Sequence, residues 1–368
     1  MKKIVMGIAA VACAATMFAA DISAQLQIDG DLLNYSKDGT KALMVKEYDP
    51  SGSSDYLWKL SVNGDKAGAE IWSWNFDGSV SEKSVWLKPI DSLKLTVGNM
   101  TVYSCWNPQF GWWAKNLAFE KYGVKAEYTN GSLGVEAAIS TQRQNAEYKT
   151  VPDYWFDNSQ ADGWNKVSDF IVSATYALDA GKAQVWVGKG AGVHPHGFTG
   201  WDASALAFGA VWGNCPYMEN GYFVDVAGTF AYKPYTDLSW SQGEGFAFEK
   251  VLAQAYYQFF TNGFGAQIIA VGGYTAEKIG YDNEIGGLKK NDAKPVFGFE
   301  TKFSYAVNSF TPYLQINGYD IMDKKLTVDL GTTTSVGACA IDAKVEMPIN
   351  FADYAFSFSV PVQVSVAF

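Results

Sequence analysis

From Tyr354 to the last residue the chain alternates. Tyr354, Phe356, Phe358, Val360, Val362, Val364, Val366 and Phe368 fall on one side; Ala355, Ser357, Ser359, Pro361, Gln363, Ser365 and Ala367 fall on the other. A period of two belongs to a β-strand, whose successive side chains point to opposite faces. One face is wholly apolar and the other small or polar, which suits a strand between hydrocarbon and water. The period recurs upstream. Phe297, Phe299, Thr301, Phe303 and Tyr305 oppose Gly298, Glu300, Lys302 and Ser304, while Leu133, Val135, Ala137 and Ile139 oppose Ser132, Gly134, Glu136 and Ala138. Charged side chains facing lipid are costly, so Glu300 and Lys302 are expected to point away from it.

Turn chemistry separates the runs. Asn130-Gly131 and Asn262-Gly263 are hairpin dipeptides that tolerate positive φ, and Asp179-Ala180-Gly181 joins Phe170–Ala177 to Lys182–Val187. Short connections near Pro89 to Ser92, Asn130-Gly131, Asp179 to Gly181, Asn262-Gly263 and Val307 to Ser309 alternate with long ones. The long ones lie near Asn99 to Glu120, Thr141 to Lys166, Gly188 to Asp202, Lys233 to Glu249 and Thr275 to Lys294. Membrane barrels show this alternation, with tight turns at one end and extended loops at the other. The pattern predicts an all-β fold, a transmembrane antiparallel up-and-down β-barrel of about 18 strands, with 16 as the alternative. Gln25 to Asn34 reads as a short segment meeting the last strand at closure. Asn116 to Lys121 offers at most one turn of helix.

The N-terminus adds an export signal: Lys2 and Lys3 precede an apolar stretch from Ile4 to Ala20. Residues 1–20 read as a signal peptide and 21–368 as one barrel domain, with Ala24 a second candidate cleavage point and a lipid-modified Cys13 a minor one. Beyond it there is no apolar run of about 18 residues, which excludes a helical membrane protein. A chain that is 48% apolar, with 36 Gly, 21 Tyr, 23 Phe and 13 Trp, still has a mean hydropathy of −0.07. Strands with alternating faces produce that average. The net charge of −10 argues against nucleic acid as a partner. Outside the signal, Cys105, Cys215 and Cys339 are too few and too scattered for a disulfide scaffold or a metal site. The expected topology puts Cys105 on an outer loop, Cys215 in a turn at the opposite end and Cys339 on a strand between them.

With the terminal strand and the hairpin Val85-Trp86-Leu87-Lys88-Pro89-Ile90-Asp91-Ser92-Leu93-Lys94-Leu95-Thr96-Val97-Gly98 identified, the chain resembles the Gram-negative outer-membrane porin-like β-barrels. The resemblance implies residence in the cell outer membrane among its lipids. It also implies that Val364, Val366 and Phe368 form the signal read by the barrel-assembly machinery. Homo-trimers are common in that family; this sequence carries no direct sign of one.

A barrel of this size leaves an aqueous lumen, and charged rings lining it set selectivity. Glu70, Glu136, Glu300, Lys302, Asp342 and Lys344 are the pore-lining candidates; a one-residue register slip would turn each outward. Tyr103, Trp106, Phe110, Trp112 and Trp113 make one long loop strongly aromatic. Such rings could stack on sugars inside the lumen, against the blander reading of loop packing or an interfacial girdle. Trp72, Trp86, Trp186 and Trp212, on strands, are the better girdle candidates. His194 and His196 are the only histidines, too few for a metal centre. With Asp202 they make the only pairing suited to hydrolysis, and no serine motif supports it. The sequence therefore reads as no enzyme and calls for no cofactor.

The function expected is passive diffusion of small hydrophilic solutes, with weak preference for cations or sugars. Two alternatives stand beside it. One is a surface barrel whose loops act as an adhesin. The other is a substrate-specific transporter for hydrophobic solutes, which calls for an N-terminal plug where the chain already reads as strand.

Overall fold

A computed structural model describes residues 21–36, 39–46, 58–73, 82–106, 117–144, 150–152, 164, 167–190, 206–282, 286–319, 321–352 and 355–367. Residues 1–20, expected to be a signal peptide, and His194, His196, Asp202, Phe110, Trp112, Trp113, Tyr354 and Phe368 lie outside them. The described strands form one 20-stranded antiparallel sheet and two small two-stranded ones. β1 (Asp21–Ser36) pairs on one edge with both β2 (Gly39–Lys46) and β3 (Trp58–Asn63), which therefore count as one strand of the wall. β23 (Ala355–Phe356) and β24 (Phe358–Ala367) likewise share the edge of β22 (Cys339–Asn350). The fold is a closed antiparallel barrel of 18 strands.

The chain divides into two compact units. The first holds residues up to Asn99, Phe260–Ala266 and Glu300–Phe368. Here β1 pairs with β24 from Gln25↔Ala367 to Tyr35↔Phe358. The ladder runs one way through β3, β4 (Ala67–Ser73) and β5 (Glu82–Ile90) to β6 (Leu93–Tyr103). It runs the other way through β22, β21 (Lys325–Val336) and β20 (Phe310–Asn317) to β19 (Lys294–Tyr305). Connections between paired strands are short at both ends, as at Ser36–Gly39, Asn317–Lys325 and Val336–Cys339.

The second unit holds Met100–Phe259 and Gln267–Phe299. Its ladder runs β7 (Ala118–Asn130), β8 (Leu133–Ser140), β11 (Phe170–Leu178), β12 (Gly181–Lys189), β13 (Leu206–Asn214), β14 (Gly221–Tyr232) and β15 (Phe246–Thr261), with most of β16 (Phe264–Thr275). The expected long connections all fall in this unit. They carry two hairpins of their own, β9 (Gln142–Gln144) with β10 (Thr150–Pro152) and β17 (Lys278–Asp282) with β18 (Gly287–Asn291).

Alternation fixes which face is which. Val85, Leu87, Val97, Val172, Tyr176, Val185, Val187, Phe208, Val224, Val226, Phe297, Phe303 and Leu330 are large apolar side chains left exposed, and every intervening position points inward. Such a continuous apolar outer surface is what hydrocarbon covers.

Four expectations are corrected. Gln25–Asn34 does meet the last strand, but as part of a 16-residue strand rather than a short segment. From Ala118 the chain is strand, not helix, and from Gly123 on it pairs with β8. The first hairpin turns on Gly131-Ser132, with Asn130 paired to Leu133 and Gly131 at φ 58°; Asn262 and Gly263 both take positive φ as expected, 46° and 83°. Cys339 closes a tight turn opposite Val336 instead of lying mid-strand.

Candidate functional site

The first unit concentrates charge on its inner face. Register carries Lys302 across Gln315 and Asp329 to Glu346, and Ser304 across Tyr313 and Gly331 to Lys344. Four carboxylates and two ammonium groups therefore share one patch. Gln315 Nε2 donates to Glu300 Oε1 at 2.6 Å and the Tyr313 hydroxyl donates to Asp342 Oδ1 at 2.8 Å. Lys344 Nζ lies 2.8 Å from Asp329 Oδ2 and 2.7 Å from Glu346 Oε2. The Lys302 ammonium sits 4.1 Å from the centre of the Tyr313 ring, an arrangement in which the ring quadrupole attracts the cation. On β4, Glu70 accepts from Ser61 at 3.1 Å and pairs with Lys59 at 2.6 Å. Cross-linked this way, the charges are held at fixed positions.

All six charged candidates lie on the inner face. Glu70, Glu300, Lys302, Asp342 and Lys344 belong to the first unit, and Glu136 to the second, on β8 between Glu127 and Ser173. Asp329 and Glu346, which complete the patch, were missed. Both sit at polar positions of alternating strands, the parity that marked Glu300.

The second unit is organised differently. Met100, Val102, Leu117, Phe119, Ile171, Trp186, Leu252 and Val296 lie on inward positions and form a buried apolar cluster. Among the described residues, the charge that remains there includes two ion pairs. Lys121 and Asp169, both almost fully buried, lie 3.2 Å apart, and Glu249 accepts from Thr229 at 2.8 Å and pairs with Lys278 at 2.5 Å. After β6 the chain turns inward. Cys105 N donates to Gln184 Oε1 at 2.8 Å, Ser104 Oγ approaches Asp225 Oδ2 at 3.3 Å, and Lys182 lies 5.0 Å from the Trp106 ring. Register carries Gln184 of β12 across Val211 of β13 to Asp225 of β14 and Gln254 of β15, with Gln254 Nε2 donating to Asp225 at 3.0 Å. Tyr103 and Trp106, the described members of the aromatic loop, thus belong to a segment docked on the inner wall. Burial pushes the Cys105 thiol up to about 11, which favours its protonated form.

The tryptophan girdle needs correction as well. Trp212 faces outward beside Phe208, but Trp72, Trp86 and Trp186 face inward. Two of them lie over a glycine on the next strand: a Cβ on Gly68 would come within 2.4 Å of the Trp86 indole, and one on Gly209 within 2.7 Å of Trp186. Only a bare backbone lets those indoles lie flat against the wall.

No family model matches the chain, and no curated protein does. Solved structures do. The outer membrane protein OpdK from Pseudomonas aeruginosa matches with a TM-score of 0.52 at 8% identity, over 95% of this chain and 99% of that one. P. aeruginosa OccK2 (OpdF), solved in complex with glucuronate, gives 0.52 at 8% over 95% and 98%. Acinetobacter baumannii OccAB3 gives 0.50 at 9% over 95% and 99%. This chain has their fold. At such identity the likeness speaks for architecture, and it agrees with the porin-like resemblance of the terminal strand and hairpin.

Proposed function

We propose that the protein is an outer-membrane channel through which small hydrophilic solutes diffuse passively, with cations weakly preferred. The observation that carries this reading is the inner face of the first unit, where Glu300, Asp329, Asp342 and Glu346 outnumber Lys302 and Lys344. Fixed charges on a hydrated wall select permeant ions by their sign, and the acidic excess favours cations. Glu136 adds to that excess, and Glu70, paired with Lys59, lies on the same wall, which makes all six charged candidates pore-lining in this reading. Transport consumes no residue and needs no cofactor.

Export through a signal peptide removed after Ala20, and recognition of Val364, Val366 and Phe368 by the assembly machinery, complete the proposal. The test is single-channel conductance of refolded residues 21–368 in a planar bilayer, with the reversal potential read under a salt gradient. Stepwise conductance with cation preference is expected. Inserted protein that stays electrically silent would overturn the channel reading.

A further inference from the structure

The connection between β14 and β15 is built more firmly than a spacer needs to be. Lys233 N donates to Gly245 O at 2.7 Å, Thr236 N to Ser241 O at 2.8 Å and Gly243 N to Pro234 O at 2.9 Å, so the segment is itself a hairpin. Tyr235 bridges Gln242 on one side and Ile279 of β17 on the other, joining it to the β17–β18 hairpin. The Lys278–Glu249 pair and the bond from Ala276 N to Glu249 O tie that hairpin down to β15.

The tip of this platform is Asp237-Leu238-Ser239-Trp240. Asp237 Oδ1 accepts from Ser239 N at 2.8 Å and from the Ser239 hydroxyl, which lies 3.1 Å from the Ser241 hydroxyl. Those bonds hold the Asp237 carboxyl below its ordinary range. Trp240 has φ 67°, a left-handed backbone that a bulky side chain rarely adopts, yet its side chain is 54% exposed. Its ring meets Tyr235 edge-on at 5.5 Å and 90°. A large aromatic held in a costly conformation, presented to water and flanked by a carboxylate and two hydroxyls, has the composition of a saccharide subsite. The indole plane takes the C–H face of a pyranose, and the oxygens take its hydroxyls. Two apolar side chains are too small a patch for a stable protein interface, and a fixed carboxylate disfavours anionic lipid headgroups.

We propose that Trp240, with Asp237, Ser239 and Ser241, forms a binding site for neutral pyranosides on the long connections of the second unit. The carboxylate excludes acidic sugars. Binding there does not require that the barrel conduct, so the two readings fail separately.

The experiment uses the full chain in detergent, labelled with 5-fluorotryptophan, with the Trp240 resonance assigned from Trp240→Phe. Maltotriose and then cellotriose are titrated in, followed by glucuronate. A saturable shift of the Trp240 resonance with a neutral sugar, and none with glucuronate, is expected. Read by titration calorimetry, because the variant lacks the reporting resonance, Trp240→Ala should weaken binding about tenfold, while Asp237→Asn retains the neutral sugar and admits glucuronate. Far-UV circular dichroism and resistance to unfolding in detergent check that each variant is folded. An unmoved Trp240 resonance with both neutral sugars, an equal response to glucuronate, or unchanged binding by Trp240→Ala would each overturn the site. Intact sugar binding in a barrel that does not conduct would sink the channel proposal alone.

Discussion

The two units solve the same problem, what to place on the inside of a β-wall, in opposite ways. The first keeps short connections at both ends and places Glu300, Lys302, Asp329, Asp342, Lys344 and Glu346 on its inner face. The second carries long connections, turns the segment after β6 inward, and lines its strands with apolar side chains such as Ile171, Trp186 and Leu252, each 4% exposed or less. The difference teaches that inward-facing does not mean wet. Where loops are long enough to return, an inner wall becomes a packing surface and obeys core rules; where they are short, it keeps its charges, cross-linked to one another even where they are buried, as at Glu300 and Asp329.

The sharpest way to break this comparison is to truncate one inward tryptophan in each unit. Trp186→Ala should cost about 3–5 kcal/mol, as for a large side chain removed from a packed site. Trp86→Ala, on a half-buried indole beside Lys88 and Lys94, should cost under about 2 kcal/mol. Urea unfolding in lipid vesicles measures both, and equal losses would refute the contrast. Asp169→Ala should behave like Trp186→Ala, losing about 3–5 kcal/mol because it removes the carboxylate 3.2 Å from the buried Lys121 ammonium.

Charge removal should show the reverse order. Asp329→Asn with Asp342→Asn is expected to lower the cation-to-anion permeability ratio several-fold, roughly as the loss of two wall charges dictates. Asp225→Asn, held among Gln254 and Ser104, should change it by less than about twofold. A reversal potential that moves more for Asp225 than for the pair would place the selective surface in the wrong unit.

Smaller still, Gln184→Ala should loosen the inward segment and raise current noise, with conductance up by no more than roughly twofold. Quiet traces at unchanged conductance would argue that the segment is held elsewhere. The least effect concerns pH. Burial raises the Cys105 thiol from 9.0 to about 11, so the fold favours its protonated form. That contribution is whole below about 9 and is lost as pH rises through about 11. Maleimide labelling of Cys105 in the folded barrel should therefore lag behind the urea-unfolded chain at pH 8, and equal rates would show the thiol to be solvated.

Sequence reading went far where parity alone decides. Glu300 and Lys302 could be placed inward because Phe297, Phe299, Phe303 and Tyr305 claim the other face. The same parity pairs Trp86 with Ser84 and Lys88 against Val85 and Leu87, so its inward position was legible, but the habit of assigning tryptophan to membrane interfaces overrode it. Trp186, which follows Gln184, is the same case. What no local pattern could supply was the docking of Ser104 and Cys105 on Asp225 and Gln184, contacts between residues far apart in sequence. The platform built by Tyr235 and Ile279 is equally invisible, since its segments read only as long, polar connections.

The pairing of β1 with β24 has a consequence for biogenesis. The strands that seal the ring come from opposite ends of the chain, so the seam is the contact of greatest sequence separation and carries the largest loop-closure entropy. Until the last strand arrives, the edges of β1 and β22 expose unpaired peptide groups, a template for adding strands from other molecules. The molecule is therefore most vulnerable when nearly complete, and a premature stop that removes Phe358–Phe368 should turn a sealed ring into an aggregation-prone open sheet.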